Sequence, residues 1–256
     1  EFERERRKSM NVSLREMMEG ALEGGLMENK GALFAMLAVI FVGIELFNRA
    51  LPIVFGPLLG FEESIPGKGK HLDVLNTILP FFYHIYCFCA GSENVDFGTQ
   101  SLNLSNTLLA LCAMFLAYDS VYHPFHRLLH WKLLYPYVHK HHHQQMVPTR
   151  GNLDAVNVHP FEFVVGEYMH IFAMWFVSSF LFRIHLFSII AFVFIGGVVA
   201  SMNHSRFDIL WPGIIGIRYH DIHHSVYPFN LNYSQYTVLW DRFYGTFVAT
   251  KEVRKK

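Results

Sequence analysis

Long apolar runs, separated by short polar stretches, dominate the chain from residue 31 onward. The first run begins with GALFAMLAVIFVGIELF and continues past Pro52 and Pro57, which should bend or end a helix. Four further runs follow, at Leu72–Ala90, Leu102–Tyr118, Phe163–Phe182 and Ile184–Met202. The last two join tightly around Arg183, as in a helical hairpin. Because a bilayer core takes about 20 apolar residues, the pattern predicts an all-α integral-membrane bundle of about four to five spans.

The same pattern divides the chain into two unequal parts. Residues 1–30 are polar, and their helical spacing of apolar positions fits either an amphipathic helix on a membrane surface or an ordinary surface helix. Residues 31–256 are predicted to form one membrane-embedded domain, with a histidine-rich region at 119–247. The alternative is a soluble helical protein with a very apolar core, which runs of this length with almost no charge disfavour.

Composition supports the membrane interpretation. Hydrophobic residues make up 52% of the 256 residues and charged residues only 16%, whereas a typical soluble domain carries roughly 25% charged residues. Lys+Arg and Asp+Glu both number 21, so the formal net charge is zero. A nucleic-acid-binding domain normally shows a basic excess, and the composition therefore argues against a nucleic-acid partner.

Twelve of the 16 histidines recur at short spacings between His123 and His224. The motif HRLLH contains two, and the HxxHH pattern occurs twice, in HKHHH and HDIHH. On a helix, positions i, i+3 and i+4 share one face, so each HxxHH should project three imidazoles from one side. Neutral imidazole is the commonest protein metal ligand. The ten candidate ligands are His126, His130, His139, His142, His143, His159, His204, His220, His223 and His224.

Ten ligands are too many for one ion but suit two, with about five each and an open position for a substrate or oxygen. Imidazole alone does not choose between zinc, copper, iron and nickel. No carboxylate accompanies the set, in contrast to the carboxylate-rich ferritin-like bundles. The spacing predicts a dinuclear, all-histidine site at the end of a membrane bundle, with His141 pointing off the ligand face.

The ordered motifs HRLLH, HKHHH, HPFEF, NHSRFD, HDIHH and NYSQYTVLWDRFYGTF resemble the fatty acid hydroxylase superfamily, which includes sterol desaturases and sterol C4-methyl oxidases. The resemblance covers roughly residues 119–247. It implies that the ten histidines hold two Fe ions in a non-haem di-iron centre, which activates O2 to attack an unactivated C–H bond of a lipid. It also implies electrons from NAD(P)H through cytochrome b5 or a similar carrier, and a location in the endoplasmic reticulum. Some members carry an extra histidine four residues before the first motif, and in this chain Tyr122 holds that position, with His123 beside it.

Other polar residues are candidates for supporting roles. Metal-bound imidazoles usually donate their second N–H to a carboxylate or carbonyl. Four carboxylates near the motifs are candidates for this, or are solvent-facing or capping groups: Asp119, Asp208, Asp221 and Asp241. Glu167 and His170, one turn apart within a span, either line a substrate channel or make a packing hydrogen bond between helices.

The ligands can meet only if their segments reach one membrane face. The third run ends shortly before His126, and the hairpin returns the chain to its starting side just before His204. Basic residues flank the same face, so the positive-inside rule predicts that the histidine motifs face the cytoplasm. The side of the amino terminus stays open, because three single spans and a hairpin broken at Pro52 place it on opposite sides.

Taken together, the pattern favours an O2-dependent lipid hydroxylase or desaturase, and ligand spacing does not distinguish these two reactions. Two other functions compete with it. One is a histidine-rich membrane metal transporter, although transport sites lie near the bilayer midplane and these clusters follow the spans. The other is a lipid hydrolase that uses two zinc ions. Metal content and oxygen dependence separate the three.

Overall fold

The computed structural model describes residues 74–98, 102–146, 148, 151–205, 210–211, 215–226 and 229–249, together with six separate positions between 35 and 46. Residues 1–30 and most of the first apolar run lie outside the described residues. The amphipathic segment and the side of the amino terminus therefore stay predictions.

Helices occupy the apolar runs within the described residues. In chain order the elements are α1 (Val74–Gly91), β1 (Val95–Asp96), α2 (Leu104–Leu129), α3 (Asn152–Ala155), α4 (Pro160–Phe180), β2 (Ile184–His185), α5 (Leu186–Asn203), β3 (Leu210–Trp211), β4 (Ile215–Gly216), α6 (Ile217–Ser225) and α7 (Leu239–Phe243). Three of the helices, α2, α4 and α5, are long and apolar enough to cross a membrane. The prediction of an all-α membrane bundle is confirmed.

Polar side chains determine where these three helices begin. Asn103 precedes α2 and accepts a hydrogen bond from the backbone N–H of Asn106. His159 and His185 do the same for α4 and α5, and Pro160 fills the first position of α4. Such caps satisfy N–H groups that have no partner inside the helix, and proline fits the first turn because it lacks an N–H.

Helix α2 continues well beyond the apolar run that predicts it. The run ends at Tyr118, whereas the helix ends at Leu129. The helix continues past the apolar stretch because its backbone N–H and C=O groups bond to each other whether the side chains are apolar or polar. As a result His126 stands in the last turn of α2, on a rigid extension of the span.

The helices α1, α2, α4 and α5 pack around a shared apolar core. Its fully buried side chains include Ile85, Met114, Met174, Ile189 and Phe192. The outer faces of the same helices are also apolar, and they expose Leu104, Leu108, Trp175, Phe180 and Phe187. Contiguous apolar surface of this kind marks a face that contacts membrane or another partner.

The two ends of the bundle differ. At one end β1 pairs in parallel with β2, Val95 lying opposite Ile184. The sequence predicts only a polar turn there, because two-residue strands are too short to produce an alternating pattern. At the other end the last turn of α2, the start of α4 and the end of α5 come together, and this end carries the histidine motifs.

Candidate metal centre

Nine of the ten candidate ligands converge into two groups. Within each group, one ring nitrogen from every member lies within 4.8 Å of all the others. The five-histidine group contains His126, His130, His139, His143 and His223, and the four-histidine group contains His142, His204, His220 and His224. Eight of these residues are buried, and His130 is partly buried.

Each HxxHH motif divides its rings between the two groups. In α6, His220 and His224 join the four-histidine group, whereas His223 joins the five-histidine group. At 3.6 residues per turn, position i+4 lies about 40° to one side of position i and position i+3 about 60° to the other. The sequence predicts that all three rings project from one side of the helix. In the structure the rings at i and i+4 join one group, and the ring at i+3 joins the neighbouring group.

The first HxxHH motif reaches the same division from a different backbone. Residues 131–141 form successive turns and lead into a 3-10 helix at His142–Gln144, so this motif is not α-helical. His139 and His143 nevertheless join the five-histidine group and His142 joins the other. The two motifs thus divide their rings in the opposite sense: the first gives two rings to the five-histidine group, and the second gives two rings to the four-histidine group.

The distances between ring nitrogens suit metal coordination. In the five-histidine group, Nε2–Nε2 distances are 3.0 Å for His126–His139, 3.0 Å for His139–His143 and 3.1 Å for His143–His223. In the four-histidine group they are 3.2 Å for His142–His204, 3.2 Å for His204–His220 and 3.1 Å for His220–His224. Two nitrogens bound to one ion at about 2.0–2.1 Å and at right angles lie about 3 Å apart.

Hydrogen bonds on the far side of the rings fix which nitrogen faces inward. Three rings donate from Nδ1 to backbone carbonyls: His126 to Tyr233 at 2.8 Å, His223 to Leu231 at 2.7 Å and His204 to Ala200 at 2.9 Å. A carbonyl only accepts, so each of these Nδ1 atoms carries the ring proton and each Nε2 presents a lone pair. A cation placed between converging lone pairs would be bound by all of them, and the donor set therefore fits two metal ions.

Burial keeps the imidazoles in the neutral form that binds metal. Removal from water and the neighbouring imidazoles lower the pKa well below the ordinary value in His139, His142, His220 and His224. Burial also lowers the pKa of His223 to about 4, although the bond to the Leu231 carbonyl opposes the shift. Near neutral pH these rings are uncharged, as metal ligands must be.

A carboxylate that sequence reasoning missed lies against the five-histidine group. Glu162, 6% exposed in the first turn of α4, places Oε1 at 2.8 Å from Nδ1 of His139. Its other oxygen, Oε2, is buried and has no hydrogen-bond partner among the described residues. The signal was present in HPFEF, where Glu162 follows the histidine by three residues, but only the histidine of that motif entered the ligand set.

Asp119 supports the centre indirectly. Its carboxylate, completely buried on α2, accepts hydrogen bonds from the backbone N–H groups of Gln235, Tyr236 and Thr237 at 3.1, 3.1 and 2.6 Å. These residues belong to the segment 229–238, whose carbonyls at positions 231 and 233 orient two ligand rings. Asp119 thus positions the segment 229–238, which in turn orients the rings of His126 and His223, and it does not bond to a ring itself.

Asp241 has a similar role from the carboxyl-terminal side. It accepts hydrogen bonds from the backbone N–H of Tyr233 at 2.7 Å and of Ser234 at 3.0 Å, and from the Thr246 hydroxyl at 2.8 Å. Burial raises the pKa of Asp241, but bonds from His123, Thr246 and Ser234 outweigh it and lower the pKa overall. His123 lies 3.3 Å from this carboxylate and stacks on Tyr244, so it belongs to this network and to neither histidine group.

Three predicted residues stand apart from the centre. His159 is exposed, and its Nδ1 accepts the backbone N–H of Phe161 as the cap of α4, so the structure brings it into neither histidine group. Asp221 is half-buried on α6 and is not a member of either group, and Asp208 lies outside the described residues. His141 contacts Asn157 and points away from both groups, as predicted.

A cavity of about 130 Å³ lies beside the four-histidine group. Its wall includes His142 and His204 of that group, and also Glu162. Glu167 and His170, the predicted channel residues, line the same cavity farther along α4. The centre is therefore in contact with a space that enters the bundle.

Fold and site together define a membrane protein with two adjacent groups of histidines that could each hold a metal ion, and sequence comparison identifies its family. The family model for fatty acid hydroxylase matches residues 111–246, more than half of the 256-residue chain. This stretch contains all nine converging histidines. The chain belongs to the fatty acid hydroxylase family.

Curated relatives include two kinds of sterol enzyme. Methylsterol monooxygenase 1 of Gallus gallus is 32% identical over 173 residues, 64% of this chain and 55% of the relative. A Delta(7)-sterol 5(6)-desaturase of Eremothecium gossypii is 34% identical over 143 residues, 54% of this chain and 38% of the relative. A methylsterol monooxygenase of Aspergillus fumigatus is 32% identical over 193 residues, 73% of this chain and 61% of the relative. The chain thus spans about half the length of these relatives, and no solved structure matches it.

Proposed function

We propose that this chain is an O2-dependent lipid hydroxylase or desaturase that acts on a sterol, a fatty acyl chain or a related lipid. The observation that carries the proposal is the convergence of nine neutral imidazoles into groups of five and four. The family supports it, since relatives within it are named as sterol monooxygenases and sterol desaturases.

Each histidine group would hold one iron ion. When bound, the iron pair would supply the redox chemistry, in which O2 is reduced with external electrons and a C–H bond of the lipid is oxidised. The number of imidazoles in each histidine group determines where the substrate can approach. Four imidazoles leave more coordination positions free than five do, and the four-histidine group is the one that lines the cavity through His142 and His204. The substrate would therefore approach from the side of that group.

The cavity would position the target carbon and exclude water. Its wall is built from α2, α4 and α5 together with residues 155–158 and 235–236, and it includes apolar side chains such as Val156, Val158 and Phe163. A closed, water-poor site limits side reactions of a reactive oxidant. The apolar outer faces of the same helices would let a lipid reach this site from the bilayer.

Electrons would arrive from NAD(P)H through cytochrome b5 or a similar carrier at the histidine end of the bundle. Arg127, Lys132 and Lys140 are exposed near this end. Basic residues of this kind favour a cytoplasmic orientation under the positive-inside rule. They would also attract an acidic carrier protein. The proposed location of the chain is the endoplasmic reticulum.

Turnover by the purified protein tests the proposed function. The full chain in lipid nanodiscs, loaded with Fe(II) and supplied with a reductant, should consume O2 and oxidise one class within a panel of sterols, fatty acids, sphingolipids and fatty aldehydes. Incorporation of ¹⁸O from O2 marks hydroxylation, and a new double bond without ¹⁸O marks desaturation. His204→Ala should abolish the reaction, whereas His141→Ala, in the same motif region but outside both groups, should preserve it.

Two outcomes would contradict the proposal. No oxidised product across the panel would remove the oxygenase assignment, and metal flux into proteoliposomes would then indicate a transporter. Lipid cleavage that needs zinc and proceeds without O2 would instead identify a di-zinc hydrolase.

A further inference from the structure

We infer that the cavity contains a binding site for a hydroxyl group of the lipid, formed by the oxygen atoms of Tyr236, Tyr118 and Glu167. The inference rests on the proposed function only in taking the ligand to be a lipid. It adds a property of the substrate that the histidine groups do not determine: an O–H donor close to the carbon that reacts.

The proton of the Tyr236 hydroxyl is already committed inside the protein. His170 donates from Nδ1 to the backbone carbonyl of Glu167 at 3.1 Å, so its Nε2 is an acceptor. Nε2 of His170 lies 2.8 Å from the Tyr236 hydroxyl, which must therefore donate to it. The Tyr236 oxygen is left with lone pairs only, and Tyr236 lines the cavity.

Tyr118 presents the same arrangement on the neighbouring helix. Its hydroxyl donates to the backbone carbonyl of Gly166 at 3.3 Å, and its ring packs against that of His170 with centroids 4.3 Å apart. Tyr118 and Glu167 also line the cavity. Three oxygens from α2, α4 and the segment 229–238 thus offer lone pairs to one space.

A fourth acceptor in the same wall has no protein partner. Oε2 of Glu162 is buried without a hydrogen bond among the described residues, although Glu162 is only 6% exposed. A buried acceptor that stays unpaired is destabilising, so the cavity favours an occupant that can donate. Gln235 also lines the cavity and carries an amide that could serve a carbonyl oxygen, so the test compares the two ligand chemistries directly.

The packing of α5 preserves this arrangement. A Cβ atom at Gly196 would stand 2.8 Å from the Tyr236 hydroxyl oxygen and 3.4 Å from Nε2 of His170. The first distance is too short for a real contact, so the absence of a side chain at Gly196 is what allows the two polar groups to sit against α5. Substitution of Gly196 therefore offers a way to displace the site without removing any of its polar atoms.

The size of the cavity limits how far the hydroxyl can be from the reacting carbon. A volume of about 130 Å³ is close to the roughly 150 Å³ of a cavity that holds one benzene ring, so it takes one end of a lipid and not a whole sterol or acyl chain. His142 and His204 line the same space. An alcohol bound at Tyr236 therefore places carbons only a few bonds from its oxygen beside the four-histidine group.

Equilibrium binding of matched lipids tests the inference without turnover. The iron-loaded protein in nanodiscs, kept without O2, is titrated with cholestanol, cholestanone and cholestane, and separately with hexadecanol, hexadecanal and hexadecane. In one of the two series the alcohol should bind about tenfold more tightly than both analogues, a difference of about 1.4 kcal/mol, because only the alcohol can donate a hydrogen bond to these oxygens. Which series shows the preference distinguishes a sterol from a long-chain alcohol.

Variants assign the preference to these residues. Tyr236→Phe and Gly196→Ala should each reduce the preference for the alcohol over its analogues from about tenfold to below threefold. Tyr168→Phe, which removes a hydroxyl from the exposed side of α4 outside the cavity, should keep it. Equal binding of alcohol and ketone, a ketone preference, no binding in either series, or a preference that survives Tyr236→Phe would overturn the inference. Alcohol selectivity without any lipid oxidation would overturn the proposed function and leave this inference standing.

Discussion

Replacement of Asp119 by asparagine tests how the chain holds its centre. Asp119 Oδ1 accepts the N–H groups of Gln235 and Tyr236, and Oδ2 accepts that of Thr237. Asparagine keeps the shape but turns one oxygen into an NH2 group, so at least one buried N–H faces a donor. The loss of one bond to a charged acceptor together with an unpaired N–H costs about 1–3 kcal/mol. Against a total stability of about 5–15 kcal/mol, the chain should still fold.

The effect on metal binding should be unequal between the two groups. Asp119 fixes the segment whose carbonyls at Leu231 and Tyr233 orient His223 and His126. Both rings belong to the five-histidine group. Loss of such supporting contacts typically weakens metal affinity by about 10- to 100-fold. Asp119→Asn should therefore lose metal from the five-histidine group first.

Metal content after dialysis against a weak chelator measures this effect. Asp119→Asn should retain about one ion per chain where the unmodified protein retains about two, as expected when affinity falls 10- to 100-fold at one group. In a His204→Ala background the same substitution should leave almost none. Glu93→Gln, which removes an exposed carboxylate from the opposite end of the bundle, is the matched control and should change nothing. Full retention in Asp119→Asn, or equal loss from both groups, would refute the proposed role of the segment 229–238.

Three further predictions concern the centre. Glu162→Gln should lower O2 consumption by about tenfold or more, because the His139 ring loses the carboxylate beside Nδ1, and unchanged activity would show that this contact is incidental. His159→Ala should cost about 1 kcal/mol of stability as a lost helix cap but keep both metal ions, whereas His204→Ala should lose an ion; metal loss in His159→Ala would restore it as a ligand. The metal-free protein should lose stability as the pH falls below about 6.5. In the unfolded chain the histidines take up protons below this pH, whereas in the folded chain the buried rings stay neutral because their pKa values are lowered. Melting temperatures of metal-free protein between pH 8 and pH 5 measure this, and a flat profile would contradict it.

The helical architecture could be predicted because it depends on properties that the sequence displays directly. Apolar runs long enough for a bilayer mark α2, α4 and α5, and the hairpin around Arg183 follows from their spacing. The end of α2 was misplaced because apolarity marks the extent of the bilayer and not that of the helix. The pairing of β1 with β2 was missed because it involves two residues on each side.

The ligands could be predicted more completely than their surroundings. Eight of the nine converging histidines stand in the spaced motifs that predicted them, and His204 was added as a single histidine. His159 lies outside both groups and caps α4, and spacing does not separate a histidine that caps a helix from one that binds metal. The carbonyls of Leu231 and Tyr233 could not be foreseen, because every residue carries one and only the fold selects those that meet a ring.

The proposed centre predicts a definite number of metal ions bound per chain. Anaerobic titration of Fe(II) into the metal-free protein, followed by elemental analysis of the washed sample, measures that number. The two histidine groups predict saturation at two iron ions per chain, falling to one in His204→Ala. Saturation at one ion in the unmodified protein, or no stable binding of iron, would contradict the central claim that five and four imidazoles form two adjacent metal sites.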